Sequence, residues 1–151
     1  MDIKKHIHIL AFLAVLFSTL FLMPEVKAQC QVFVRSLCVP ELQPYIHDGG
    51  FQAVIMREGE EAEVYKTVFA GQQYRLFICI DSSLPNVEFV VSDIRRNILF
   101  DNQKNDNTRV WNFRPSASQQ IKVTIRIPRS RQGGGEQNFG CVGVLFGLLE
   151  Q

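Results

Sequence analysis

From Phe51 to the last residues, apolar and polar positions change phase every few residues, and turn-forming residues recur every 8 to 12 positions. That rhythm predicts strand after strand. Phe51 to Arg57 is short and apolar. Ala62 to Phe69 alternates, with Val64, Lys66 and Val68 on one face and Glu63, Tyr65, Thr67 and Phe69 on the other. Gln73 to Asp81 follows the turn Ala70-Gly71-Gln72. Asp81 to Asn86 is a loop, because Pro85 has no N–H to give a central ladder. Val87 to Ser92 leads into the turn Asp93-Ile94-Arg95-Arg96-Asn97, with Asn97 as the expected left-handed residue. Ile98 to Asp101 and Arg109 to Arg114 come next. In Ile121 to Ile127 the aliphatics are strictly alternate with Lys122, Thr124 and Arg126, so one face of that strand is wet. Phe139 to Leu148 is apolar almost throughout and is expected at the centre of a sheet. The fold class that follows is all-β: a jelly-roll-like antiparallel sandwich of about eight strands, spanning residues 51–151.

Two other segments have different patterns. In residues 29–50, Phe33, Leu37, Leu42, Tyr45 and Ile46 recur at roughly helical intervals, while Pro40 and Pro44 forbid one long helix. Short helical turns capping the sandwich are expected there. Residues 1–28 have the three parts of a secretion signal. Lys4 and Lys5 are positive, Ile9 to Met23 is an apolar run ended by Pro24, and Val26-Lys27-Ala28 suits cleavage before Gln29. The run is shorter than the roughly 20 residues a membrane-spanning helix needs. The tract from Arg129 to Asn138, with Gly133-Gly134-Gly135, is expected to be a mobile loop.

Export changes what the composition means. The full chain carries a net charge of +1, and loss of Lys4, Lys5, Lys27, Asp2 and Glu25 leaves the domain neutral. A neutral domain has no electrostatic footprint for nucleic acid or anionic lipid. Cys30, Cys38, Cys79 and Cys141 all remain, and four thiols in an exported chain imply two disulfides with three possible pairings. Spacing favours Cys30–Cys38 as a local staple and Cys79–Cys141 as a long-range one. There is no C-x-x-C pair to suggest a metal or redox centre.

One stretch is similar to the bacterial pre-peptidase C-terminal domain. It consists of Ala70-Gly71-Gln72-Gln73-Tyr74-Arg75-Leu76, Val91-Ser92-Asp93 through Asn97-Ile98-Leu99, and Phe113 to Ile127. That family shows a Gly before a Tyr-centred strand, an Asp-bearing turn and a strand ending in alternate aliphatics. The likeness covers roughly Glu60 to Leu148, and a GOLD-type sandwich has much the same pattern. It implies a β-sandwich in a non-catalytic accessory role and carries over no site residue.

Candidate chemistry is sparse. His47 is the only histidine beyond the signal, and in Tyr45-Ile46-His47-Asp48-Gly49-Gly50 it reads as part of a turn. No Gly-x-Ser-x-Gly elbow exists. Glu58, Glu60, Glu61 and Glu63 crowd one segment that reads as a solvated hairpin, although a carboxylate pair there would allow hydrolysis without histidine. Asp101, Asn105 and Asp106 are candidate calcium ligands in an Asp/Asn-rich segment, which equally suits an ordinary turn. Trp111, Tyr65 and Arg109 are candidates for a ligand surface, since aromatic faces stack sugars and Trp, Tyr and Arg dominate protein hot spots. The reading is an exported, non-enzymatic binding module of the bacterial envelope, secreted or periplasmic, that recognises another protein. The alternatives are a polysaccharide-binding module and, third, a hydrolase.

Overall fold

The computed structural model describes residues 26–129 and 138–150. The expected signal therefore lies almost wholly outside the described residues, as does most of the glycine-rich tract. Eight strands form two four-stranded sheets. They are β1 (Ile46–Arg57), β2 (Glu61–Val68), β3 (Tyr74–Ile80), β4 (Glu88–Asp93), β5 (Ile98–Asp101), β6 (Val110–Phe113), β7 (Gln119–Arg126) and β8 (Phe139–Leu148). The first sheet has the order β1-β8-β3-β6 and the second β2-β7-β4-β5. The pairs β1·β8, β2·β7, β3·β6 and β4·β5 are all antiparallel. This is one long hairpin ribbon rolled up on itself, the winding of a jelly roll.

Alternation decides which side chains meet between the sheets. Ile121, Val123 and Ile125 of β7 face Leu76 and Ile78 of β3 and Val142, Val144 and Phe146 of β8 in one continuous core. Asn102, fully buried after β5, ties the core's edge together. Its carbonyl oxygen accepts the Phe89 N–H at 2.8 Å, and its amide donates to the Val87 and Thr108 carbonyls at 3.0 and 3.3 Å.

The outer face of the first sheet is buried too. A continuous helical run lies over it: helix α1 (Val26–Phe33), a π-helical turn (Val34–Cys38) and a 3₁₀ turn (Val39–Leu42). Cys30, Val34, Cys38 and Leu42, four residues apart, form the buried stripe against Phe77, Cys79, Cys141 and Leu145. Of the positions expected to recur, Leu42 and Tyr45 are buried and Phe33 packs against the stripe, whereas Leu37 and Ile46 lie exposed. The close approach depends on glycine. A Cβ on Gly143 would lie 2.7 Å from Val34 Cγ2, and one on Gly147 2.7 Å from Tyr45 Cβ. Arg75 fixes the end of the run, donating to the Leu42 and Gln43 carbonyls at 3.3 and 3.0 Å and stacking 4.2 Å over the Tyr45 ring.

Both disulfides join this run to the sheet, Cys30 to Cys141 and Cys38 to Cys79. The pairing expected from spacing is therefore corrected. Eight residues of helix separate Cys30 and Cys38 by about 12 Å, beyond the roughly 7 Å limit between Cα atoms for a disulfide. Strands β3 and β8 are neighbours, but Cys79 stands opposite Gly143 rather than Cys141. Each strand cysteine instead meets one from the helical run above it.

Three more expectations change. Strand β1 begins at Ile46, and the supposed turn from His47 to Gly50 is an irregularity within that strand. Glu58 is buried rather than solvated and accepts from Asn138 Nδ2 at 2.8 Å. The left-handed residue of the β4–β5 turn is Arg96, with φ 68°, and not Asn97.

Candidate functional site

The second sheet leaves its outer face open. Directly opposed residues share a face, so the register draws rows across all four strands. Tyr65 stands opposite Lys122, Lys122 opposite Ser92, and Ser92 opposite Ile98. Beside that row Glu63 stands opposite Thr124 and Thr124 opposite Val90. Tyr65 is 57% exposed, and its hydroxyl donates to Glu63 Oε2 at 2.9 Å. Lys122 Nζ donates to the other oxygen, Oε1, at 2.7 Å. Glu63 is held below the usual carboxylate range, first by Lys122 and then by the Tyr65 hydroxyl. Glu63 in turn raises both Tyr65 and Lys122, while the nearby Arg96 charge pushes Lys122 the other way.

The β4–β5 turn joins the last two strands of this sheet at its β5 edge. Asp93 holds it closed from inside. Its carboxylate Oδ1 accepts the Arg95 and Asn97 N–H groups at 2.8 and 2.9 Å, and Oδ2 accepts Asn97 Nδ2 at 2.7 Å. Two backbone bonds, from Asp93 N–H to the Asn97 carbonyl and from Arg96 N–H to the Asp93 carbonyl, are both 3.0 Å. The Asn97 side chain is the largest of the causes that lower the Asp93 carboxyl. At the base, Phe100 turns inward, tilted against Phe89 at 5.4 Å and stacked 5.3 Å from Trp111. Outside this frame are Ile94 at 74% exposure, Ile98 at 60% and Leu99 at 39%, together with exposed Arg95 and Arg96.

The residues singled out from the sequence do not converge. Tyr65 lies on the open face, at the β2 edge of the second sheet. Trp111 lies on β6, an edge of the first sheet, half-buried and stacked 4.0 Å from Phe113. Arg109 is exposed just before β6, with its carbonyl bound to the Ile78 N–H at 2.9 Å. No single surface holds all three.

His47 rests against Phe51 with its ring centroid 5.8 Å away, and its buried Nε2 has no partner among the described residues. Its neighbour Asp48 does not orient it; that carboxylate meets Lys66 and the Gly50 N–H. The glutamates are committed separately. Glu58 is held by Asn138, Glu60 accepts the Arg57 N–H at 2.8 Å, and Glu63 is held by Lys122 and Tyr65. Of the calcium candidates, Asp101 accepts the Gln103 N–H at 3.1 Å and pairs with Lys104 at 3.4 Å. Asn105 donates its amide to the Asp101 carbonyl at 2.7 Å, and Asp106 is exposed at φ 53°. No group of three or more His, Cys, Asp or Glu fit to hold a metal occurs among the described residues.

The sequence placed Tyr65 on the polar face of its strand, where it lies exposed, and gave no sign that Ile94, Ile98 and Leu99 would be exposed too. Ile94 to Leu99 reads as an ordinary hairpin until the sheet order puts β5 at an edge.

No family model matches the chain, and no curated protein matches it in sequence. The likeness to the pre-peptidase C-terminal domain is thus upheld only as far as its β-sandwich. Among solved structures the chain is similar to PliG of Aeromonas hydrophila, a periplasmic lysozyme inhibitor of g-type lysozyme. The identity is 18% and the TM-score 0.45, over 64% of this chain and 84% of that one. A similarity of that size carries neither a partner nor a residue role to this chain.

Proposed function

We propose that this chain is an exported, non-catalytic binding module of the bacterial cell envelope that recognises another protein. The observation that carries the reading is the exposure of Ile94 on a turn that Asp93 clasps and of Ile98 and Leu99 at the start of the strand that follows it. Apolar side chains grouped in the open beside polar ones mark interaction sites more often than they mark defects. Two disulfides suit an oxidising compartment, in line with a signal at residues 1–28 and a secreted or periplasmic location. None of the described helices is long and apolar enough to cross a membrane. The scattered, separately held carboxylates and the unassisted His47 weigh against a hydrolase.

The test is a cross-linking pull-down with Gln29 to Gln151 against envelope extract from the native host. We expect one dominant protein; nothing above background would sink the reading. A polysaccharide is the second reading, favoured by the exposed Tyr65 ring between Glu63 and Lys122. A glycan array on wild type and Tyr65→Ala decides it. A structural calcium ion at Asp101, Asn105 and Asp106 is tested by melting with and without millimolar calcium, and we expect no shift, since Asp101 is already engaged.

A further inference from the structure

We propose that the β4–β5 turn is a preformed recognition finger that enters a cleft with an apolar floor and an acidic rim on its protein partner. The inference rests on the protein-binding reading and adds the chemistry of the partner.

The first argument is strain. Arg96 sits in the left-handed region at φ 68°, where a side chain with a Cβ costs about 1 kcal/mol or more. A turn built only to reverse the chain would put glycine or asparagine there. Here the cost is offset by the Asp93 bonds, and the outcome is an exposed Arg96 whose charge acts on Lys122.

The second argument is charge. Among the described residues neither Arg95 nor Arg96 makes an ion pair. Asp93, the nearest carboxylate in sequence, has both oxygens occupied by the turn itself. Lys122 close by is matched by Glu63. The Asp93 charge acts on Arg95, so the tip holds two positive charges against one negative, and the surface complementary to that net positive charge is acidic.

The third argument is the character of the apolar part. Ile94, Ile98 and Leu99 are aliphatic, and the stretch from Asp93 to Leu99 contains no aromatic ring to stack a sugar or a base. Aliphatic area together with arginine fits a protein cleft better than an anionic glycan. Rigidity completes the case, because a turn already closed loses little conformational entropy on binding.

The test places photoreactive p-benzoylphenylalanine at Ile94 of the full chain, with the same residue at Tyr65 and Val32 as controls, before irradiation in envelope extract. Support is an adduct from position 94 that maps to a partner peptide with acidic residues around apolar ones. Arg95→Glu with Arg96→Glu should then weaken binding to that purified partner by about tenfold or more at an unchanged melting temperature. Arg95→Gln with Arg96→Gln should weaken it less. Asp93→Ala should also weaken binding, although every tip side chain remains. If adducts form only from Tyr65 or Val32, or charge reversal leaves affinity unchanged, the finger is overturned while protein recognition stands. If no position cross-links a protein and an acidic polysaccharide binds instead, both readings fall.

Discussion

The two sheets of this sandwich have opposite outer faces. On the first, β8 is apolar along its length and nearly every residue is buried, because a helical run covers it and two disulfides hold that cover in place. On the second, β7 alternates strictly, and its outward residues Gln120, Lys122, Thr124 and Arg126 meet solvent or other polar groups. The contrast teaches what a cover changes. A face closed by covalent bonds is committed to stability, and the open face keeps its polar side chains in solvent.

Opening the closed face should have the largest effect. Replacing Cys38 and Cys79 by alanine should destabilise the domain by about 4 kcal/mol, and Cys30 and Cys141 by nearer 5 kcal/mol, in the chain-entropy model for their separations of 41 and 111 residues. Denaturant titration measures both; losses well under 1 kcal/mol would mean the cover holds without its bonds.

Next comes Gly143→Ala, whose new methyl would meet Val34 at 2.7 Å. A loss of about 1–3 kcal/mol is expected. Adding Val34→Ala should return part of it, and no return would place the clash elsewhere.

On the open face the same kind of change should do little. Lys122→Met removes a solvent-screened pair with Glu63 and should leave the melting temperature essentially unmoved. A large drop would mean that the Lys122–Glu63 pair is shielded from solvent.

The smallest effect is a local one with pH. Asp93 is depressed below its ordinary value of 3.8, first by the Asn97 side chain. Folding thus favours its ionised form, so its contribution is complete above that ordinary value and is lost as the pH falls through the lower folded one. Amide exchange at Arg95 and Asn97 should rise in that acidic window before the core amides respond. Protection that persists through it would remove Asp93 as the turn's clasp.

Much of this was legible in the sequence for one reason: burial on one face or on two writes itself into the period. Strict alternation in Ile121 to Ile127 gave one wet face, and the apolar run to Leu148 a strand with two dry ones. Tyr65 fell on the polar side of its strand, as its alternation with Val64 and Lys66 required. What stayed hidden depended on contacts between segments far apart. The disulfide pairing follows from where the helical run lands, which no spacing records. Asn102 resembles any loop asparagine until three backbone groups close around it. Ile98 is exposed because its register with Ser92 puts it on the uncovered face, and a register is not written in the spacing of residues.

The nested bridges also order events in time. Cys30 is the first cysteine to emerge from any pore that passes the chain N terminus first, and its partner lies in the last strand. In a chain delivered N terminus first, the outer bond therefore closes only after Cys141 has arrived, while the inner bond needs the chain only as far as Cys79. Oxidation in simple order of arrival would join Cys30 to Cys38, the pair that a finished helix keeps apart. Correct pairing is thus a record that β8 has arrived, and a chain cut short before it has no Cys141 for Cys30 to join.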